Sequence, residues 1–130
     1  MNAAVAAKSG EARLYRSRLS SRHTLLGVDQ NSGEVLEDFI FVETVSLGEA
    51  LEPFSVVHYL KMDCEGAEHS ILASVGDETL SKIQRLVVEV HGLHAQGISD
   101  SMMRKLAASF NDLSIRRASR NLSLLFARKL

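Results

Sequence analysis

The sequence predicts an α/β protein in which parallel strands are followed by an antiparallel hairpin at the C-terminus. Short apolar runs alternate with segments whose apolar residues recur at helical spacing, which is typical of strand–helix units. Two later apolar runs are separated by only three polar residues, which favours a hairpin. The 130 residues suit one domain, and 45% hydrophobic residues with a single proline can fill a core, which excludes wholesale disorder.

The first third of the chain is predicted to form three strands. Residues 2–7 are a short apolar run that ends at a turn around Gly10, and residues 11–17 alternate enough for a second strand. Residues 38–45, rich in aromatic and β-branched side chains, form the third. The polar residues 18–34 are predicted to be a mobile loop.

The middle of the chain is predicted to alternate between helices and strands. A short helix starts at Ser46 and Glu49, which have the spacing of a capping box. Residues 56–62 are nearly all apolar, as expected of a parallel strand that is buried on both faces. A helix follows this strand and ends at Gly76, and residues 86–91 form the next strand.

The remaining helices and the hairpin are also recognisable. Asp77 is expected to cap a short helix, and Ser99 or Asp100 to cap a longer one. Residues 113–118 and 122–127 are the predicted strands of the hairpin. The buried side of the longer helix is predicted to consist of Met102, Met103, Leu106, Ala107 and Phe110.

Charge is distributed unevenly, although the formal net charge is only −1. Basic residues outnumber acidic ones in residues 1–30 and 101–130, whereas residues 31–100 are strongly acidic. We interpret this as basic ends that fold beside an acidic middle and neutralise it. The alternative is a basic surface for a polyanion, but few aromatic residues and no nucleic-acid-binding motif favour the first interpretation. The candidates for such a surface would be Arg116, Arg117 and Arg120.

Several protein classes are excluded by composition. A single cysteine excludes a disulfide scaffold within the chain and a zinc site built on paired thiolates. The apolar runs are much shorter than the roughly 20 residues of a membrane-spanning helix. The start of the chain lacks the basic lead of a signal peptide. We therefore expect a soluble, cytoplasmic protein with neither a membrane nor a nucleic acid as partner.

Acidic residues cluster where residues 56–62 give way to a helix. Ligands of open α/β sheets bind outside the carboxyl ends of parallel strands. Glu65 and Glu68 are tolerated at a helix N-terminus on structural grounds alone. Asp63 ends the strand and should point into the crevice, where it could orient a ligand, bind a cation or act as a general base. From spacing alone, a functional role and a capping role are equally open.

The next strand end carries the histidines. Glu89 lies inside an apolar strand, which is costly unless the carboxylate is paired or reaches the rim. His91 and His94 could hold a metal with Asp63 or Glu65, but their spacing fixes no coordination geometry, and no metal is predicted. We prefer His91 as a proton shuttle beside Asp63, and a histidine that only makes hydrogen bonds is the alternative.

Three segments, in their order along the chain, resemble those of a known family. Residues 43–47 (ETVSL), 60–68 (LKMDCEGAE) and 86–91 (LVVEVH) resemble the second half of the FkbM family of S-adenosylmethionine-dependent methyltransferases. The K-x-D-x-E-G-x-E core within the second segment is the most specific of the three. Residues 2–15 are similar to the third strand of the family and the hairpin that follows it. The resemblance therefore covers nearly the whole chain.

The resemblance implies a truncated Rossmann-like methyltransferase sheet. The parent sheet has the strand order 3-2-1-4-5-7-6, and residues 1–130 would form a single domain that carries strands 3 to 7. Residues 2–7 would be strand 3, residues 56–63 strand 4 and residues 86–91 strand 5, with the hairpin as strands 6 and 7.

The resemblance also implies an activity. Family members methylate hydroxyl groups of small molecules, often sugars or polyketide-like metabolites, with S-adenosylmethionine as the donor. Asp63 would lie beside the donor as a cofactor-binding and catalytic residue. The residues around the acceptor would be Glu65, Glu68 and His91 as further catalytic residues, with Glu89 and His94 binding substrate.

One departure from the family limits this expectation. The glycine-rich turn after strand 1 and the acidic residue that ends strand 2 have no counterpart in this sequence. We therefore expect a domain that lacks the donor-binding half and is not active alone, and the alternative is a non-catalytic binding or assembly module. The open edge of residues 56–62 would be covered by residues 38–45 or by a partner, such as a second copy in a homodimer.

Overall fold

The computed structural model of the chain describes residues 2–92 and 98–130, which contain seven strands and four α-helices. The strands are β1 (Ala4–Ala6), β2 (Gly10–Tyr15), β3 (Phe39–Ser46), β4 (Leu60–Met62), β5 (Arg85–His91), β6 (Asp112–Ser119) and β7 (Leu122–Arg128). The helices are α1 (Leu47–Leu51), α2 (Glu68–Ser74), α3 (Asp77–Lys82) and α4 (Asp100–Ser109). None of these helices has the length and apolar character of a membrane-spanning segment.

The strands form two mixed sheets. In the three-stranded sheet, of order β1-β3-β2, β1 runs parallel to β3 and β2 runs antiparallel to it. In the four-stranded sheet, of order β4-β5-β7-β6, β4 is parallel to β5 and the β6–β7 hairpin is added antiparallel. The prediction of an α/β protein with parallel strands and a C-terminal hairpin is therefore confirmed.

The core lies on one face of the four-stranded sheet. Alternate residues of β5, Leu86 and Val88, point into it, and β7 places Leu125 on the same side because it pairs with Val88. Ile71 of α2 and Leu106 of α4 are fully buried in the same cluster. The helices thus cover one face of this sheet and fix the position of its strand ends.

The prediction for residues 56–62 is wrong in two respects. The regular strand is only Leu60–Met62, and Val56 and Tyr59 are 46% and 57% exposed rather than buried on both faces. The reason is that β4 is the edge strand of its sheet, so β5 is its one strand neighbour within residues 2–92 and 98–130. β3, the counterpart of the strand predicted for residues 38–45, pairs with β1 and β2 instead, so it does not cover the β4 edge as expected.

The polar segment after β2 has a defined structure rather than that of an irregular loop. Tyr15 and Thr24 form a bridge, and a second bridge between Val28 and Val35 closes a small hairpin, residues 27–36. The buried carboxylate of Asp29 accepts hydrogen bonds from two backbone amides at the tip of this hairpin. Burial raises the pKa of Asp29, but these hydrogen bonds outweigh burial and leave the pKa below its ordinary value.

The predicted helix caps are partly confirmed. Ser46 and Glu49 form the complete capping box of α1, and Ser99 accepts the amide of Met102 at the start of α4. Asp77 is the first residue of α3 and makes no capping hydrogen bond, because Gly76 occupies the cap position. α2 does end just before Gly76, at Ser74 with Val75 as its C-cap, and Gly76 is also the N-cap of α3.

The packing of α4 gives a direct test of the core. Leu106 is fully buried, whereas Ala107, predicted for the same side, is exposed. Leu106→Ala should therefore lower the free energy of unfolding by about 3 kcal/mol, because a cavity remains. Ala107→Ser should change it by less than about 0.5 kcal/mol. Urea denaturation measures both, and equal losses would contradict this packing.

Candidate active site at two parallel strand ends

The turn of residues 63–67, called the acidic turn below, lies next to His91. The reason is that β4, which precedes the turn, and β5, which ends at His91, are parallel neighbours. Met62, the last residue of β4, pairs with Val88 of β5, so both strands end at the same edge of the sheet. The turn that begins at Asp63 leads into α2, and His91 is the last residue of β5. The side chains of Asp63, Glu68 and His91 bring ligand atoms within 4.8 Å of one another at this edge.

Glu68 holds the turn together. Its side chain is almost completely buried, and its Oε1 accepts the amide of Cys64 at 2.8 Å. Its Oε2 accepts the amide of Gly66 at 3.0 Å. Burial alone raises the pKa of Glu68, but the hydrogen bond with His91 and those from backbone amides outweigh it, so the pKa is lowered. Glu68 therefore stays ionised, and no oxygen of it is directed at solvent.

His91 is oriented by Glu68 and surrounded by acids. Its Nδ1 lies 3.0 Å from Oε1 of Glu68, and its Nε2 lies 3.7 Å from Asp63 Oδ1 and 3.8 Å from Glu65 Oε2. An ionised carboxylate only accepts, so Nδ1 carries a proton. Burial lowers the pKa of His91, but the hydrogen bond to Glu68 and the three nearby carboxylates raise it above its ordinary value. His91 can therefore exchange a proton through Nε2.

Glu65 occupies a strained position beside His91. Its φ of 48° lies in the left-handed region, and the following Gly66 has a φ of 105°. The hydroxyl of Thr24 donates to the carbonyl of Glu65 at 2.8 Å, which stabilises this geometry from outside the turn. Burial raises the pKa of Glu65, with nearby Asp63 and Glu68 adding to the effect and His91 opposing it. Such strain is typical of functional sites.

Glu89 of β5 forms an ion pair with Lys61 of the neighbouring strand β4. Lys61 Nζ lies 2.8 Å from Glu89 Oε1 and 3.1 Å from Asp63 Oδ2. Lys61 donates a hydrogen bond to Glu89 and another to Asp63, and these two hydrogen bonds raise the pKa of Lys61. This pairing compensates for the acid within the apolar strand, and it links Glu89 to the acidic turn. His94, the other predicted substrate-binding residue, lies outside the described residues.

The hairpin of residues 27–36 covers the strand ends and was missed by the sequence analysis. The side chain of Gln30 lies against Gly66 and Gly92, which follow β4 and β5 and both have positive φ. Asn31 Nδ2 lies 3.4 Å from a carboxylate oxygen of Glu65, and Asn121 donates to the carbonyl of Asn31. No sequence pattern pairs these positions, because their contacts arise only from the fold.

A cavity of about 270 Å³ opens beside the acidic turn. The residues that line it include the apolar Val5, Leu14 and Leu25 and the acidic Asp63 and Glu65. Cys64 also lines it, but burial and the charge of Glu68 raise the pKa of the thiol to about 11. The thiol therefore stays protonated near neutral pH and is a poor nucleophile.

The sequence model of one protein family, the methyltransferase FkbM domain, matches residues 1–114. The chain belongs to the FkbM methyltransferase family. The matched region contains every residue of the acidic turn together with His91, and it ends within β6. No curated protein and no solved structure matches the chain.

Three side chains of this FkbM domain lie close enough together to be potential metal ligands. Asp63, Glu68 and His91 each offer one potential ligand atom, and these atoms lie close to one another. The atoms of Glu68 and His91 already hydrogen-bond to each other, and Glu68 also holds two backbone amides. An ion bound through Nδ1 of His91 would have to replace the hydrogen bond that orients this ring.

The backbone geometry of the turn predicts a strong effect of one methyl group. A Cβ at Gly66 would lie 2.6 Å from Gln30 Cγ, and an alanine at this position would have to adopt a φ of 105°. Gly66→Ala should lower the free energy of unfolding by about 2–4 kcal/mol. Gly27→Ala is the control, because its Cβ would meet Tyr15 at an ordinary 3.6 Å. Chemical denaturation measures both variants, and a Gly66→Ala protein as stable as the control would contradict the geometry.

The Glu68–His91 pair should make stability depend on pH. Since the folded pKa of His91 lies above 6.5, its stabilising effect is complete below pH 6.5 and disappears as the pH rises through the raised value. Since the folded pKa of Glu68 lies below 4.5, its effect is complete above pH 4.5 and disappears as the pH falls through the lowered value.

The measurement is the free energy of unfolding of the wild type minus that of His91→Asn, determined by urea denaturation at a series of pH values. The difference should be largest between pH 4.5 and 6.5 and decline on both sides. A difference that does not change with pH would show that the charges of the pair do not interact.

Proposed function

We propose that this chain is part of an S-adenosylmethionine-dependent O-methyltransferase and that the turn at Asp63 and the end of β5 form its reaction site. The family to which the chain belongs suggests a methyltransferase-like function. The observation that carries the residue assignment is the buried hydrogen bond between Glu68 and His91, which aims Nε2 at two carboxylates outside the strand ends. Ligands of parallel sheets bind at such strand ends.

In this proposal His91 is the general base. S-adenosylmethionine, when bound, supplies an electrophilic methyl group on a positively charged sulfur. His91 accepts at Nε2 the proton of the acceptor hydroxyl as the oxygen is methylated, because Nδ1 is committed to Glu68. Glu68 does not touch the acceptor and acts as a positioning residue. The reaction should therefore slow as the pH falls through the raised pKa of His91.

The carboxylates have separate roles in the proposal. Asp63, 37% exposed at its side chain and lining the cavity, stabilises the positive charge of the donor. Glu65 lies 3.8 Å from His91 and binds the acceptor hydroxyl. Glu89, held by Lys61, binds the acceptor further from the reacting atoms. His94 is proposed as a second acceptor-binding residue on the ground of the resemblance alone.

The residues present fit part of the donor. The cavity beside Asp63 combines apolar walls with carboxylates, which suits a nucleoside next to a cationic sulfur. Its volume of about 270 Å³ lies below the range of roughly 300–1,000 Å³ that is typical of ligand pockets. We therefore propose that a partner surface at the free β4 edge completes the donor site and that the chain is not active alone.

The strand orders of the two sheets are consistent with derivation from one larger parent sheet. The order β4-β5-β7-β6 is the order that the resemblance implies for strands 4, 5, 7 and 6. β1 lies at an edge of the other sheet, as strand 3 does in the order of the parent sheet. We propose that residues 1–130 form one domain derived from a Rossmann-like methyltransferase sheet.

A second candidate function is a non-catalytic binding or assembly module. The observation in its favour is the open edge of β4, which is preceded by the exposed side chains of Val56 and Tyr59. Exposed strand edges favour pairing with another chain, and a second copy would give a homodimer.

Calorimetric titration with S-adenosylhomocysteine separates the two functions. The wild type should bind with a dissociation constant below about 1 mM, and Asp63→Asn should weaken binding about tenfold or more. Asp77→Asn is the matched control, because this exposed acid lies on α3 and does not line the cavity. Binding unaffected by Asp63→Asn would contradict the site. No heat with the wild type, together with a dimer in sedimentation equilibrium, would favour the assembly module.

A further inference from the structure

His23 lines the cavity that contains the carboxylates of Asp63 and Glu65, although the sequence analysis did not select it. It follows the short 3₁₀ turn after β2 and precedes Thr24, which is tied to Glu65. We infer that His23 is a further ligand-binding residue, which donates a hydrogen bond from Nε2 to the nucleoside part of the methyl donor. This inference rests on the proposed function, because it concerns the same cavity.

The hydrogen bond of His23 to the backbone fixes which ring nitrogen can donate. The amide of Ser17 donates to Nδ1 of His23 at 3.2 Å. A ring nitrogen that accepts a hydrogen bond carries no proton, so the proton of the neutral ring is on Nε2. His23 therefore offers a ligand a hydrogen-bond donor rather than an acceptor.

His23 lines two cavities. The outer one, of about 580 Å³, includes Ser17 and Asp38 in its lining, and the inner one includes Ser21 and Asp63. Among the described residues, His23 is the one that lines both. Since Nδ1 accepts the amide of Ser17, Nε2 is the ring nitrogen that remains for a ligand, and we assign that ligand to the inner cavity.

The residues that line the inner cavity would leave a nucleoside short of hydrogen-bond donors without His23. Val5, Leu14 and Leu25 provide apolar walls, and the carboxylates of Asp63 and Glu65 can only accept hydrogen bonds when ionised. A nucleoside has apolar ring faces, and its ring nitrogens and sugar oxygens are hydrogen-bond acceptors. Ser21 and His23 are the lining side chains with strong donors, and the imidazole fixes its donor more rigidly than a rotating hydroxyl.

Two isosteric variants separate ligand binding from a structural role. His23→Asn places a side-chain oxygen near the position of Nδ1, so it keeps an acceptor for Ser17 but removes the donor at Nε2. His23→Gln places its amide near Nε2, so it keeps a donor for the ligand but removes the acceptor for Ser17. His58→Asn is the control, because His58 is exposed and lies outside both cavities.

The experiment measures the affinity of each variant for S-adenosylhomocysteine by calorimetry and its stability by urea denaturation. His23→Asn should bind about tenfold more weakly, as expected for the loss of one hydrogen bond of about 1.4 kcal/mol, and keep wild-type stability. His23→Gln should bind within about threefold of the wild type and be the less stable variant. The control should match the wild type in both.

Two results would overturn the inference and leave the proposed function intact. One is weak binding by His23→Gln with normal binding by His23→Asn, because His23 would then act only through Ser17. The other is normal binding by both variants while Asp63→Asn still weakens binding. If the wild type does not bind S-adenosylhomocysteine at all, both the inference and the proposed function are wrong.

Discussion

The structure of the site depends on the burial of one ionised carboxylate. Glu68 accepts hydrogen bonds from two amides of the turn that precedes its helix and from the imidazole at the end of the neighbouring strand. Taking this charge out of water is costly, and the cost is compensated only because every one of these donors is in place. The backbone of the turn, the tautomer of His91 and the placement of Asp63 and Glu65 all follow from that requirement.

A second layer of contacts holds this arrangement from the outside. Thr24 binds the carbonyl of Glu65, and the hairpin of residues 27–36 lies over the strand ends. Asp29 organises the tip of that hairpin through backbone amides, as local side-chain hydrogen bonds do in many loops. The loop and the acidic turn are therefore coupled, so a substitution in either one should alter the electrostatics around His91.

The features that the sequence predicts are those set by local patterns. The capping box at Ser46, the terminal hairpin and the meeting of Asp63 with His91 follow from spacing and from the parallel arrangement of two strands. The length of β4 did not follow, because an apolar run does not say whether a neighbouring strand is present. The roles of Thr24 and Gln30 depend on long-range contacts, which leave no periodic signal in a polar segment.

The space between Gly66 and Gly92 that the side chain of Gln30 fills has a consequence for related sequences. A Cβ at Gly92 would overlap the amide oxygen of Gln30, and a Cβ at Gly66 would contact the same side chain. The space is thus shared by three positions that lie far apart along the chain. A homologue with a larger residue at either glycine should carry a shorter one at position 30, so the three positions are expected to change together through evolution.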